Sequence, residues 1–386
     1  MSLLGHYVQT FSADCLLKFG GQQFRSCETA PVFATNYFDN TTYYNDTNFY
    51  AAGGVYDGYD TTGNVYNSSV CVKSSTLDYF CTIQNQEFYT ADSVYSNDWN
   101  YGVNANAGTF GLGFNSPIWS MLGNPSTMMY DVYMANFNEW STWAYPSYTA
   151  FTTASTINVG GFSSDYSVST PHTSIKPSFQ NTQLLPLTMF AFGKTYDNNT
   201  ASYISILNDD AEFGIHQKTA TLALNFRGLG LPTDQFEIFS NALATVTRGE
   251  STCLAFQGGY CALANTCDYY TDKGLWEYDF KLQFNTTSDN NYIRVPLATF
   301  AANHVENNGA CVIFVEYLNK NLEDSQQIIV GGMFFQSIYA QYTLSGVSAV
   351  NIDLFVNTNA EQSSTYIGSQ VVTEGVSAFA VKPMNV

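Results

Sequence analysis

The groups able to do chemistry in this chain are mostly carboxylates and thiols. It carries 32 Asp+Glu against 13 Lys+Arg, with 8 Cys and 4 His, in 386 residues. Two carboxylates held together can share a proton, act as a glycosidase dyad or bind calcium. Two pairs are adjacent in sequence, Asp209-Asp210 and Glu323-Asp324. Neighbours on a strand point to opposite faces, so neither pair is preorganised, and both read as solvated loop charges. His6, His172, His216 and His304 are scattered, with no HExxH or HxxxH spacing, so no metal site is expected. No Gly-x-Ser-x-Gly elbow is present. Gly111-x-Gly113 and Arg227-Gly228-Leu229-Gly230 fit no phosphate-binding pattern and read as turns, so no cofactor is expected. Arg227 reads first as a surface residue; at a site of charge it could clamp a carboxylate.

The cysteines point to disulfides. Cys15 and Cys27 are close in sequence, as are Cys71 and Cys81, while Cys253, Cys261, Cys267 and Cys311 cluster later. None forms a CxxC pair and no His stands at a zinc-like spacing. An oxidising compartment follows, with local bonds Cys15–Cys27 and Cys71–Cys81 expected and three pairings open for the other four. Asn40, Asn45, Asn67, Asn198 and Asn285 each open an N-x-Ser/Thr sequon, which agrees with a secreted or cell-surface chain.

The net charge of −19 makes nucleic acid an improbable partner, because an acidic surface repels phosphate backbones. No apolar run of about 20 residues exists, so no membrane span is expected. Met1–Gly21 lacks a basic region followed by an apolar one and does not read as a signal peptide as it stands.

The elements that must position these groups are strands. The chain has 28 Tyr and 29 Phe, and Gly, Asn, Asp and Ser interrupt short β-branched runs every few residues. Val70–Lys73, Ser155–Val159, Tyr292–Val295 and Ile328–Val330 are such runs. Helices are few. The best candidate is Pro232–Val246, where Phe236, Phe239, Leu243 and Val246 recur at helical spacing. Pro117–Leu122 is a shorter one. Ile157-Asn158-Val159-Gly160-Gly161 and Ile328-Ile329-Val330-Gly331-Gly332 echo each other half a chain apart. An all-β fold is expected, with an extension at 1–10, lobes at 11–185 and 186–356, and a tail at 357–386 holding strand-like runs Thr365–Ile367 and Gln370–Thr373.

Several of these segments resemble the pepsin-like aspartic protease family. Trp276–Tyr342 carries the strand Tyr278–Phe284, the segment Tyr292-Ile293-Arg294-Val295-Pro296, then Cys311, and Ile328–Phe335 with its paired glycines. Gly108–Phe114 looks like the family's Gly-Leu-Gly turn, and Tyr130–Met134 like the strand that follows it. Thr156–Tyr166 is similar to its Gly-Gly-x-Asp segment, and Leu231–Phe236 to the helix start after its second catalytic turn. The resemblance implies a bilobal β-barrel fold. It also implies a bond from Cys267 to Cys311, leaving Cys253–Cys261 as an added loop. Tyr50, before Gly53-Gly54, takes the place of the family's flap tyrosine; a plain Gly-rich turn is an equal reading.

The catalytic acids of that family are missing. No Asp-Thr-Gly or Asp-Ser-Gly occurs. Ser12 falls where the first acid would be, with Asp14 the only acid nearby, and Ala223 or Asn225 falls where the second would be. Without two carboxylates sharing a proton, no water is activated in that manner. The expectation is a secreted or cell-surface protein without enzymatic activity. It would serve as a structural or assembly subunit, of an extracellular filament or coat for instance, by exchange of terminal strands with its own kind or with another extracellular protein. An inhibitor or receptor holding peptide or glycan in the former cleft is the alternative, and an atypical protease using Asp14 a second.

Overall fold

The computed structural model describes residues 8–19, 22–26, 41–46, 59–68, 71–73, 79–81, 86–96, 108–110, 142–145, 158–159, 172–176, 185–195, 201–207, 219–223, 226, 228–255, 259–284, 292–304, 309–318, 327–345, 349–356, 366–368 and 384–385, with side chains described only within 172–355. The described residues are mostly strand. The backbone divides into two compact units, Met1–Trp140 with Ala223–Asn225, and Ser141–Leu222 with Phe226–Val386.

In the first unit the strands are β1 (Val8–Phe19), β2 (Gln22–Ser26), β3 (Thr41–Asp46), β4 (Tyr59–Ser68), β5 (Cys71–Lys73), β6 (Tyr79–Cys81), β7 (Gln86–Ser96) and β8 (Gly108–Phe110). One sheet runs β2-β1-β7-β4-β3 with β8 also on β1, and β5 and β6 form a separate ribbon. β1 and β7 are parallel, while β4 pairs antiparallel with both β3 and β7.

The second unit begins with β9 (Thr142–Tyr145), β10 (Asn158–Val159) and β11 (His172–Ile175). These do not stay with the residues before them. β9 pairs with β24 (Ile338–Ser345), and β11 pairs with β25 (Ala349–Val356), giving the order β10-β9-β24-β25-β11. Strands β9, β10 and β11 therefore share a sheet with β24 and β25 and fall in the second unit. The physical reason is long-range pairing, which no local signal reports. Across β11 and β25, Ser174 and Asp353 face each other and the Ser174 hydroxyl donates to the Asp353 carboxylate.

The largest described sheet contains β12 (Leu185–Thr195), β13 (Ala201–Ser205), β14 (Thr219–Ala223), β15 (Leu229–Pro232), β18 (Asp279–Phe284), β19 (Tyr292–Pro296), β22 (Val315–Leu318), β23 (Gln327–Gly331) and β26 (Tyr366–Gly368). Its order is β22-β15-β23-β14-β12-β18-β19-β26, with β13 on β12. A smaller sheet runs through β16 (Ser251–Cys253), β17 (Cys261–Leu263), β21 (Ala310–Ile313), β20 (Ala301–His304) and β27 (Met384–Asn385).

Alternation along β18 shows why these strands form. Phe280, Leu282 and Phe284 turn inward and are buried, while Lys281 and Gln283 are half-buried on the opposite face. The inward side is aromatic. The Phe280 ring lies within 5.3–5.6 Å, centroid to centroid, of Phe190, Phe192, Phe239 and Phe300. Each fully buried Phe contributes about 1.5–3 kcal/mol, and ring pairs at such spacings add to that.

Phe239 comes from α1 (Thr233–Val246), the helix expected at 232–246. Pro232 takes the N-cap, and Phe236, Phe239 and Leu243 are buried with Gln235 and Ala242. Val246 is only half-buried. The helix ends where Arg248 and Gly249 adopt φ of 56° and 82°, and the Gly249 amide donates to the Ala244 carbonyl at 2.8 Å. A shorter helix, α2 (Cys267–Thr271), follows later.

Candidate functional site

The second candidate catalytic turn lies where β14 leads to β15. In the sheet those two strands flank β23, so the chain between them passes the end of β23. Two short bonds fix the crossing: the Gly331 amide donates to the Gly228 carbonyl at 2.7 Å and the Gly332 amide to the Phe226 carbonyl at 2.6 Å. The Leu229 amide donates to the Phe314 carbonyl at 2.9 Å. Backbones this close leave no room for side chains. A Cβ on Gly331 would overlap the Phe226 and Gly228 carbonyls, and one on Gly228 would overlap the Phe314 carbonyl. The glycines at 228 and 331 are thus required by proximity. Ala223 is the last residue of β14, and Asn225 lies outside the described residues, as does Arg227. Among the described residues of the crossing, Ala223, Phe226, Gly228, Gly331 and Gly332, none is acidic or basic.

In the first unit Ser12 and Asp14 both belong to β1. The pairing with β7 is broken there: Phe11 faces Ala91 and Leu16 faces Ser93, so Ser12, Ala13, Asp14 and Cys15 stand against Asp92 alone. The backbone at these positions departs from a regular ladder. Tyr50 and Cys27 lie outside the described residues, as do Asn40, Asn198 and Asn285. Asn45 is on β3 opposite Thr62, and Asn67 is on β4 opposite Glu87.

The structure forms Cys253–Cys261 and Cys267–Cys311, one of the three arrangements the sequence left open. Cys253 and Cys261 are opposed in the β16–β17 ladder. The Cys267–Cys311 bond ties α2 to β21, and the Trp276 indole beside it donates to the Cys267 carbonyl at 3.2 Å and to the Thr271 hydroxyl at 3.1 Å. Cys71 and Cys81 are also direct register partners, across β5 and β6.

A cluster that the sequence did not single out lies on the non-core face of β18 and β19. Asp279 is buried, and its carboxylate accepts from the Tyr203 hydroxyl at 2.6 Å and from Arg294 Nε at 2.9 Å and Nη2 at 2.5 Å. Burial is the largest influence on this carboxyl and pushes it up; Arg294, the Tyr203 hydroxyl and Lys281 pull the other way without reversing it. Burial acts to lower Arg294, but the Asp279 charge and hydrogen bonds outweigh it and hold the guanidinium raised. Lys281 is pulled down by burial and by Arg294, against the attraction of Asp279. Its Nζ sits 3.9 Å from the Tyr292 ring centroid and 5.4 Å from that of Tyr203. Lys194, on β12, reaches Glu277 at 2.5 Å. The period-2 alternation of polar residues in Asp-Phe-Lys-Leu-Gln-Phe was visible in the sequence; the partners across β13 and β19 were not.

Of the two strand-like runs expected in the tail, Thr365–Ile367 overlaps a described strand, β26. β26 pairs antiparallel with β19, with Ile367 opposite Ile293, and takes the edge of the large sheet. β27 pairs parallel with β20, with Met384 opposite Ala302, at the edge of the smaller sheet. Residues 370–373 lie outside the described residues. No described helix is long and apolar enough to cross a membrane, and no group of three or more His, Cys, Asp or Glu among the described residues could hold a metal. Neither a family model nor a curated protein matches the chain.

Proposed function

We propose that this chain is a non-catalytic extracellular β protein that assembles by exchange of its C-terminal strands. One observation carries the reading: residues 366–368 and 384–385 are added to the edges of two separate sheets, each through a short ladder. A strand at a sheet edge is the element most readily replaced by the equivalent segment of another molecule, because the same backbone hydrogen bonds form either way. The absence of any Asp-Thr-Gly or Asp-Ser-Gly supports the non-catalytic part, as does the lack of an acid among the described residues of the β14–β15 crossing. The disulfides Cys253–Cys261 and Cys267–Cys311 support an oxidising location. The resemblance to pepsin-like proteases remains an interpretation of sequence order and fits this reading as an inactive relative.

The test is the native mass of the full chain beside that of a chain ending at Val356, with electron microscopy of both. Oligomers or filaments of the full chain, reduced to monomers by the truncation, support strand exchange. A monomeric full chain at every concentration tried, or oligomers that survive truncation, would refute it.

A further inference from the structure

We propose that the Cys253–Cys261 bond is a thiol-exchange site, opened by a dithiol reductant, and that it clamps Gly259 and Tyr260 against the outer edge of β22. The site does not depend on the tail exchange above, since β16, β17 and β22 pair with neither β26 nor β27. The two described cystines differ in access. Cys267 and Cys311 are fully buried, as is Cys261. Cys253 is half-buried on the edge strand β16, with exposed Thr252 before it and exposed Leu254 and Ala255 after it. A thiolate exchanges only with a sulfur it can reach, so attack falls on Cys253. One thiolate of the reductant attacks the Cys253 sulfur, and the bond to Cys261 breaks. Cys261 leaves as a thiolate and takes up a proton. The second thiol of the reductant then displaces Cys253, which is released and protonated in turn. The reductant ends as a disulfide and the protein gains two thiols, a transfer of two electrons and two protons.

The position of the bond gives its opening a consequence. Cys253 and Cys261 are register partners at the end of the β16–β17 ladder, where the Leu254 amide also donates to the Tyr260 carbonyl at 3.0 Å. The two residues before Cys261 reach across to another sheet. The Gly259 carbonyl accepts from the Tyr317 amide at 2.7 Å, and the Tyr260 ring lies 6.2 Å from that of Phe314, centroid to centroid. Tyr317 belongs to β22, the last strand in the order of the large sheet. Gly259 therefore covers a backbone donor on the outer edge of that sheet. A covered edge is shielded from pairing with other chains. Once the cystine opens, only backbone pairing and ring contact hold Gly259 and Tyr260 in place, and the Tyr317 amide loses its fixed acceptor.

The experiment is graded reduction of the native full chain with dithiothreitol, trapping with iodoacetamide, and peptide mapping. Cys253 and Cys261 should be alkylated at least about tenfold faster than Cys267 and Cys311, because exchange follows access. Hydrogen exchange then follows the Tyr317 amide. Its protection should fall about tenfold once Cys253–Cys261 alone is open, and the same fall should appear in the double variant Cys253→Ser, Cys261→Ser. Unfolding curves establish that each form keeps its fold, and the partly reduced natural chain serves if the double variant does not. Alkylation of Cys267 and Cys311 as early as Cys253 and Cys261, or no alkylation of Cys253 before global unfolding, would overturn the exchange site. Unchanged protection of the Tyr317 amide in the opened form would overturn the clamp.

Discussion

Gly331 and Gly249 are two glycines kept for different reasons, and substitution separates them. At Gly331 an added methyl meets the carbonyls of Phe226 and Gly228, which are backbone atoms that cannot swing aside. Gly331→Ala should cost at least about 1–3 kcal/mol, read as a lower urea midpoint with unchanged slope. At Gly249 nothing lies within 4 Å, and only its φ of 82° opposes a side chain. Gly249→Ala should therefore cost about 1–2 kcal/mol, the left-handed penalty alone. Lys281 carries a prediction of opposite sign. Its ammonium is pulled below the ordinary lysine value by burial and by Arg294, while Asp279 opposes the shift. A cation lowered on folding binds its proton less well in the native state than in the unfolded one, so it costs stability at neutral pH. That cost fades as pH rises through the window between the lowered value and the unfolded one, near 10.4. Lys281→Met should raise the urea midpoint at pH 7, and the gain should shrink as pH approaches that value.

Among the elements, the two disulfides offer a comparison set by loop size. Cys267 and Cys311 are 44 residues apart, and Cys253 and Cys261 are 8 apart. On the chain-entropy account, replacing the first pair with Ala should cost about 4 kcal/mol and the second about 2.5 kcal/mol. Denaturation of the two double variants checks the order. Cys71 and Cys81 are opposed in a two-strand ribbon, where the usual backbone separation of about 4.5–5.5 Å suits a disulfide. Non-reducing peptide mapping should find that bond. Elements with strong local signals were legible in sequence. The 3.6-residue spacing of Phe236, Phe239 and Leu243 announced α1, and runs such as Tyr292–Val295 and Ile328–Val330 announced β19 and β23. What local signals could not give was partnership. That β9 would pair with β24 across nearly two hundred residues, or β14 and β15 enclose β23, depends on packing that no window of sequence contains. The Asp279 cluster was hidden for the same reason, since Tyr203, Asp279, Lys281 and Arg294 converge only once four strands, β13, β12, β18 and β19, are aligned.

For the whole molecule, the charge of −19 sets how it meets others. Copies repel one another at low ionic strength, within a screening length of about 10 Å at 0.1 M salt. Added salt should therefore strengthen any association that proceeds through backbone pairing of the tail. Sedimentation of the full chain across a salt series checks that direction. At this scale the sequence was informative in another way. Its acidity, its eight cysteines and its abundance of Tyr and Phe fixed the solvent-facing character and the class of fold, while leaving the grouping of strands into units to the folded chain.

The indole of Trp276 rests against the backbone of Cys267, whose sulfur is bonded to Cys311. A cystine within reach of an excited indole takes an electron from it and darkens it. The molecule thus carries an optical gauge of its own redox state. Mild reductant should brighten the emission before any shift in its wavelength reports unfolding, and Trp276→Phe should erase that early rise although 4 of the 5 tryptophans remain.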